Sequence, residues 1–276
     1  MRSLIFNVAF FSGTFVYALV IIIAASFSGQ ATLQGLLHRH ARFLMLIVRT
    51  ILGARIEIRG RERFGPGEKP LLVVSKHQSE LDAFMQFYAY PETAAVAMQQ
   101  LANYPLIGPA IRKLGFIIVD VEGGKTNQLN SVVEGSRQVM AEGRPVLIYP
   151  EGELMRLGSR QRYRTGVYHI YKGTGQPATP VALCPGLVWP QRRWTKHYGQ
   201  TAVYEYLEPI PPGLDQDTFM AELERRIEEG TMRLIREHGD PEVVAQAEER
   251  HAKGLTNDDD VTVESLIQAR RPDAAA

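Results

Sequence analysis

Residues 4 to 27 (LIFNVAFFSGTFVYALVIIIAASF) are uncharged throughout. At about 1.5 Å per helical residue, such a helix can cross or deeply enter the hydrocarbon layer of a membrane. A cleaved signal peptide is the competing reading. It is disfavoured because its apolar core would span only about 7 to 15 residues, and because Arg2 is the only basic residue ahead of the stretch. A second apolar stretch, Phe43 to Leu52, is interrupted by Arg49 and flanked by His38, Arg39, His40, Arg42, Arg55, Arg59, Arg61 and Arg63. It is too short to span and suits a helix lying at the headgroup surface. An amphipathic core helix with a solvated basic face is the alternative. Basic residues are denser after the first segment than before it, which by the positive-inside tendency puts the bulk of the chain on the cytoplasmic face of the membrane.

Beyond Pro70 the pattern changes. Short β-rich runs at Leu71 to Ser75, Ala94 to Met98, Phe116 to Val119, Val146 to Tyr149, Thr179 to Leu183 and Thr201 to Leu207 read as strands. Between them, Thr126 to Ala141 sets Leu129, Val132, Val133, Val139 and Met140 on one helical stripe, with Gly143 as a stop. Asp215 to Glu237 repeats the pattern with Phe219, Leu223, Ile227, Leu234 and Ile235. This rhythm predicts an α/β fold, a mixed sheet flanked by helices, preceded by the membrane helix and the second, interfacial helix. The expected organisation is a membrane-facing unit over residues 1–62, a catalytic domain over 63–240, and a helical, loosely ordered tail over 241–276. No internal repeat is visible.

Composition narrows the function classes. A chain of 276 residues, 45% hydrophobic and 22% charged, can build one sizeable core. Its 31 basic and 30 acidic residues nearly cancel, so nucleic acid is not an expected partner. The single cysteine, Cys184, has no intrachain partner and reads as a small buried side chain in a strand. No metal is implied, since there is neither an HExxH motif nor a cysteine cluster.

Two stretches could carry chemistry. In Ser75 to Phe84 (SKHQSELDAF), His77 and Asp82 are five residues apart. On one ideal helix they would point about 140° away from each other, so they can meet only across a helix start. Ser79-Glu80-Leu81-Asp82 has the form of an N-terminal capping box, which would place His77 in the strand-to-helix loop and Asp82 in the first turn. An imidazole paired with a carboxylate is what deprotonating an alcohol requires. The bland reading is that Asp82 only caps the helix. No G-x-S-x-G elbow accompanies the pair, so a substrate hydroxyl is the expected nucleophile. The second stretch is Val146 to Arg156 (VLIYPEGELMR), in which an apolar strand runs into Pro150-Glu151-Gly152. Strand ends are where open α/β sheets place ligands. Arg156, Arg160, Arg162 and Arg164 follow with guanidinium forks suited to phosphate, or simply as a solvated basic loop.

Together these residues resemble the 1-acylglycerol-3-phosphate acyltransferase family of glycerolipid acyltransferases. The first family block corresponds to His77-Gln78-Ser79-Glu80-Leu81-Asp82 and the second to Gly115-Phe116-Ile117-Ile118-Val119-Asp120. The third lies at Tyr149-Pro150-Glu151-Gly152, and the apolar, proline-containing Thr179 to Leu183 takes the place of the fourth. The resemblance covers roughly Leu71 to Ile210. It implies transfer of an acyl chain from acyl-CoA or acyl carrier protein, with no bound cofactor, to a lysophospholipid acceptor in the membrane. It also implies His77 and Asp82 as the catalytic pair, with Glu151, Gly152, Arg156 and Arg164 at the acceptor. Two departures stand out: Val121 follows Asp120 where the family carries arginine, and Glu153-Leu154 follows Gly152 where it carries Thr-Arg. Lys125, Arg156 and Arg164 are the candidates to compensate, and an acceptor with another headgroup stays open. So do a hydrolase using the same pair and a noncatalytic lipid-binding scaffold.

Overall fold

The computed structural model describes residues 1–104, 108–119 and 125–257, with the side chains of all of these except 101 and 125–128. In chain order the elements are α1 (Arg2–Phe27), α2 (Gln30–Ile51), β1 (Arg55–Arg59), β2 (Leu72–Ser75), α3 (Leu81–Ala89), β3 (Ala94–Met98), α4 (Gln99–Asn103) and α5 (Gly108–Lys113). There follow β4 (Ile117–Val119), α6 (Lys125–Ala141), β5 (Val146–Ile148), α7 (Gly166–Thr174), β6 (Ala178–Leu183), β7 (Thr201–Tyr206), α8 (Gln216–His238) and α9 (Pro241–Lys253). The six predicted strands and the two long helices are present. The α6 helix stops where Gly143, at φ 69°, turns left-handed.

Among the described residues the strands form one mixed sheet in the order β1-β7-β6-β2-β5-β3-β4. Every neighbouring pair is parallel except β6 with β7. Both faces are covered, which is why β2 reads as an unbroken apolar run and is buried at every position. On one face Val73 and Leu147 pack with Leu44 and Val48 of α2 and Leu81 and Met85 of α3. On the other, Leu72, Val74 and Val146 pack with Val167 and Ile170 of α7 and with Phe219 and Leu223 of α8.

The β1 strand was not predicted. Its sequence Arg55-Ile56-Glu57-Ile58-Arg59 has the alternation of an edge strand, but its arginines read more naturally as the basic flank of the interfacial helix. The β1 strand pairs with β7 in parallel register, Ile56 against Ala202.

The α1 helix is long and apolar enough to cross a membrane, and it is also tied to the rest of the protein along one side. Near its start, Ser3 N–H donates to the Tyr198 hydroxyl at 2.9 Å and Asn7 Nδ2 donates to the Trp194 carbonyl at 2.9 Å. Phe6 and Phe10 both meet the Trp189 ring edge-on. In its middle Tyr17 stacks on His40 of α2, and near its end Ile21 joins Leu33, Ala110 and Leu114. The opposite side, including Val8, Phe11, Phe15, Leu19 and Ile23, is exposed.

Candidate active site

The strand order places the two chemical stretches together. From β2 the chain runs through α3 to β3, beyond β5; from β5 it runs through α7 to β6, on the far side of β2. The two connections leave in opposite directions, so the crevice at the carboxyl ends of β2 and β5 is a topological switch point, where open α/β sheets bind ligands. Val74 lies level with Ile148, and so Lys76-His77 and Pro150-Glu151 leave the sheet side by side. Two bonds join them. His77 N–H donates to Glu151 Oε2 at 3.0 Å, and Met155 N–H donates to the His77 carbonyl at 2.5 Å.

The His77 and Asp82 side chains meet because His77 is off the helix and Asp82 is on it. The α3 helix begins at Leu81. Ahead of it Ser79 Oγ accepts from Leu81 N–H at 3.2 Å, while Asp82 Oδ2 reaches back to Ser79 N–H at 3.0 Å and Gln78 N–H at 2.6 Å. Only half of the predicted capping box forms: Asp82 reaches back to Ser79 N–H, but Ser79 Oγ accepts from Leu81 rather than from Asp82 N–H, and the N-cap position is Glu80. The same Oδ2 lies 3.0 Å from His77 Nδ1, so capping and pairing are both done by one carboxylate. Asp82 is fully buried. Burial pushes its carboxyl up, while His77 and the N–H groups of Ser79 and Gln78 pull it down. With three donors converging on one oxygen, the carboxylate is the form this geometry suits. Because an ionised carboxylate only accepts, Nδ1 carries the proton and Nε2 keeps its lone pair. The Tyr149 ring lies flat on the imidazole, centroids 4.0 Å apart at 13°, and the His77 side chain remains 23% exposed.

At the end of β5, Glu151 points inward. It is fully buried, with Oε1 accepting from Lys76 Nζ at 2.7 Å and Oε2 from His77 N–H. Burial, reinforced by Glu228, outweighs the pull of Lys76 and pushes its carboxyl up to about 7. Gly152 follows at φ 77°, and a Cβ there would sit 2.5 Å from the guanidinium carbon of Arg164. The glycine thus lets Arg164, exposed and joined to the turn by its N–H donating to the Pro150 carbonyl at 2.8 Å, lie over the turn. Arg156 is half-buried and its N–H donates to Asn257 Oδ1 at 3.0 Å. Arg160 pairs with Glu224 at 2.8 Å. Gly115 to Val119 leads into and forms β4, at the far edge of the sheet. Asp120, Val121 and the Lys125 side chain lie outside the described residues. Cys184 is buried just after β6, and burial pushes its thiol up to about 12. Among the described residues no group of three or more His, Cys, Asp or Glu side chains comes together to hold a metal.

Sequence reasoning missed Lys76, Tyr149, Glu228 and Asn257. A signal existed for two of them: Lys76 is a charge at the end of an otherwise apolar strand, and Glu228 follows Ile227 on the buried stripe of α8.

A family model described as Acyltransferase matches residues 55–184. A 1-acyl-sn-glycerol-3-phosphate acyltransferase of Pseudomonas aeruginosa is 28% identical over 204 residues, 74% of this chain and 78% of its own length. The human 1-acyl-sn-glycerol-3-phosphate acyltransferase alpha is 26% identical over 84% of this chain and 81% of its own. The crystal structure of the 1-acyl-sn-glycerophosphate acyltransferase of Thermotoga maritima shares the fold, with a TM-score of 0.66 over 85% of this chain and 98% of that one, at 20% identity. The match over residues 55–184 and the curated relatives agree with the four sequence blocks: over most of its length this chain is similar to the 1-acyl-sn-glycerol-3-phosphate acyltransferases.

Proposed function

We propose that the protein transfers a fatty acyl chain from an acyl thioester, acyl-CoA or acyl carrier protein, to the free hydroxyl of 1-acylglycerol-3-phosphate in phospholipid synthesis. The observation that carries this reading is the 3.0 Å contact between His77 Nδ1 and a buried, three-donor Asp82 oxygen at the sheet's switch point. His77 Nε2 takes the proton of the acceptor hydroxyl as its oxygen attacks the thioester carbonyl. The tetrahedral intermediate collapses to the new ester, and the departing thiolate takes the proton back from the imidazolium. Asp82 holds the tautomer and balances the imidazolium charge, an effect of the kind that gives general bases about 10²- to 10⁴-fold. No acyl-enzyme is needed.

Arg164 over Gly152 is the guanidinium best placed to receive the acceptor phosphate, with Arg156, four residues after Gly152, as the second candidate. Glu151 shapes the turn from inside rather than touching the ligand. The exposed apolar side of α1 supports membrane seating, and the basic residues after it favour the cytoplasmic face.

The test is acyl transfer by purified protein in lipid, with lysophosphatidic acid offered beside other lysophospholipids and His77→Ala as control. The proposal expects a diacyl product from lysophosphatidic acid that His77→Ala abolishes. Transfer only to another lysophospholipid would keep the mechanism and reject the acceptor. Free fatty acid as the sole product would point to a hydrolase, and no turnover of any acceptor would favour a scaffold.

A further inference from the structure

Directly behind the candidate base lies a buried set of charges that the proposed transfer does not itself use. Lys76 is 0% exposed, and its Nζ donates to Glu151 Oε1 at 2.7 Å and to Glu228 Oε1 at 2.6 Å. Glu151 and Glu228 are 0% and 4% exposed. The other Glu151 oxygen accepts from His77 N–H. A closed ring results: from the Lys76 ammonium through the Glu151 carboxylate to the backbone of His77, the next residue in the chain. The outer side of the ammonium is held by Glu228 on α8, and Glu228 Oε1 also accepts from the Tyr163 hydroxyl at 3.1 Å. His251 of α9 lies 3.6 Å from Glu228 Oε2, and burial holds its imidazole below the ordinary range. Arg160 and Glu224 pair with each other at the rim.

Three buried charges are a poor way to gain stability, because apolar side chains of equal volume stabilise an interior at least as well. What an apolar filling could not do is fix the backbone of His77 through directed bonds and set the charge behind its ring. We propose that Lys76 and Glu228 are positioning residues for the transfer step, fastening the backbone of His77 to α8 and balancing the field at its imidazole. This rests on His77 being the base. The charge at the imidazole is Asp82 on α3, with the Tyr149 ring stacked on its face; Glu151 holds the His77 backbone, and Lys76 and Glu228 lie behind it through the ring just described.

The experiment compares Lys76→Met, Glu228→Gln and the double variant with wild type by kcat, acceptor KM and the acid limb of kcat/KM, with folding followed by thermal melting. Lys76→Met leaves Glu228, and Glu151 wherever it is ionised, without their cation. It should lower kcat at least tenfold with acceptor KM within twofold, and move the acid limb to higher pH because a protonated imidazole is then favoured. Glu228→Gln should move the limb to lower pH. The double variant should bring it back towards wild type and regain at least threefold of the kcat lost in Lys76→Met. Shifts of opposite sign are not produced by loosened packing. Melting temperatures that fall while kcat per folded molecule and the acid limb stay at wild-type values would overturn the proposal. If Lys76→Met does not fold, Glu228→Gln, which keeps every heavy-atom position, decides alone, and an unmoved limb overturns it. A wild-type protein whose transfer survives His77→Ala would instead overturn the base assignment, and this inference with it.

Discussion

Replacing Asp82 by asparagine isolates the charge of the candidate dyad from its architecture. The change keeps size and shape. An amide oxygen in the Oδ2 position can still accept from Ser79 and Gln78 N–H, which hold the start of α3. The amide NH₂ would fall where Oδ1 is buried without a hydrogen-bond partner among the described residues, at a cost of about 1–3 kcal/mol for unsatisfied donors that the melting temperature reads. What disappears is the attraction between a carboxylate and an imidazolium 3.0 Å away. At an effective dielectric near 20, a full pair of charges at that separation is worth about 5 kcal/mol. With the proton only partly transferred in the transition state and a neutral hydrogen bond retained, about 2–4 kcal/mol remains. At 1.36 kcal/mol per decade this is a fall in kcat of about 30- to 1000-fold. The assay is thiol release from the acyl thioester under saturating acceptor, with the melting temperature measured in parallel. A kcat within threefold of wild type in a variant still folded at the assay temperature would refute the role given to Asp82.

Four further outcomes are expected. Arg164→Gln should raise the KM for lysophosphatidic acid about 10- to 100-fold, the loss of a charge-assisted phosphate contact of roughly 1.5–3 kcal/mol, with a smaller change in kcat; unchanged KM would reject Arg164 as the phosphate ligand. Gly158→Ala should cost about 2–4 kcal/mol and expose α9 to limited proteolysis, because Gly158 sits at φ 78° and its Cβ would come within 2.1 Å of the Ala247 carbonyl oxygen. Glu151, pushed up to about 7, binds in the folded state a proton that an unfolded glutamate loses near 4.3. Its stabilising contribution is therefore complete below about 4.3 and declines as pH rises towards 7, so Glu151→Gln should flatten the fall of melting temperature across that window. Phe15→Glu with Leu19→Glu, on the exposed side of α1, should reduce sedimentation with phospholipid vesicles at least tenfold, given roughly 1.5–3 kcal/mol for each large apolar side chain buried.

The sheet was legible because its chemistry is local. A strand covered on both faces must be apolar throughout, as β2 is, and a helix on one face must carry a stripe, as α6 and α8 do. The dyad was legible for the same reason, since a capping box and a His-Asp pair five residues apart demand the same bend in the chain. Pairings between distant elements were invisible, even where one member carried a signal of its own. Glu228 is on α8 and its cation Lys76 is at the end of β2, and no sequence spacing announces that meeting. Tyr149 belonged to a recognised block, yet its stacking on His77 follows only from the register of β2 against β5. The tail shows the same limit. Of the tail read as helical and loosely ordered over 241–276, residues 258–276 lie outside the described residues; within the described part Asn257 Nδ2 donates to the Leu154 carbonyl at 2.6 Å and its Oδ1 accepts from Arg156 N–H, contacts that no spacing announced.

That strap bears on the acceptor. Where the family that the sequence blocks resemble carries an arginine soon after Pro-Glu-Gly, this chain places Glu153 and Leu154, then returns a guanidinium to the turn from Arg164, twelve residues beyond Gly152. A return of that length needs its base fixed. The loop between is tied by Arg164 to Pro150, by Met155 to His77, by Arg160 N–H to the Leu255 carbonyl at 2.9 Å, and by Asn257 to Leu154 and Arg156. A guanidinium borne on so long an excursion, offered to a phosphate as proposed, would otherwise lose to chain entropy much of what it gained by binding. If Arg164 receives the acceptor phosphate as proposed, the tail after α9 acts on that contact through the loop. Variants that release Asn257 should weaken acceptor binding in parallel with Arg164→Gln, while leaving the His77–Asp82 geometry, which is anchored in β2 and α3, to work at its own rate.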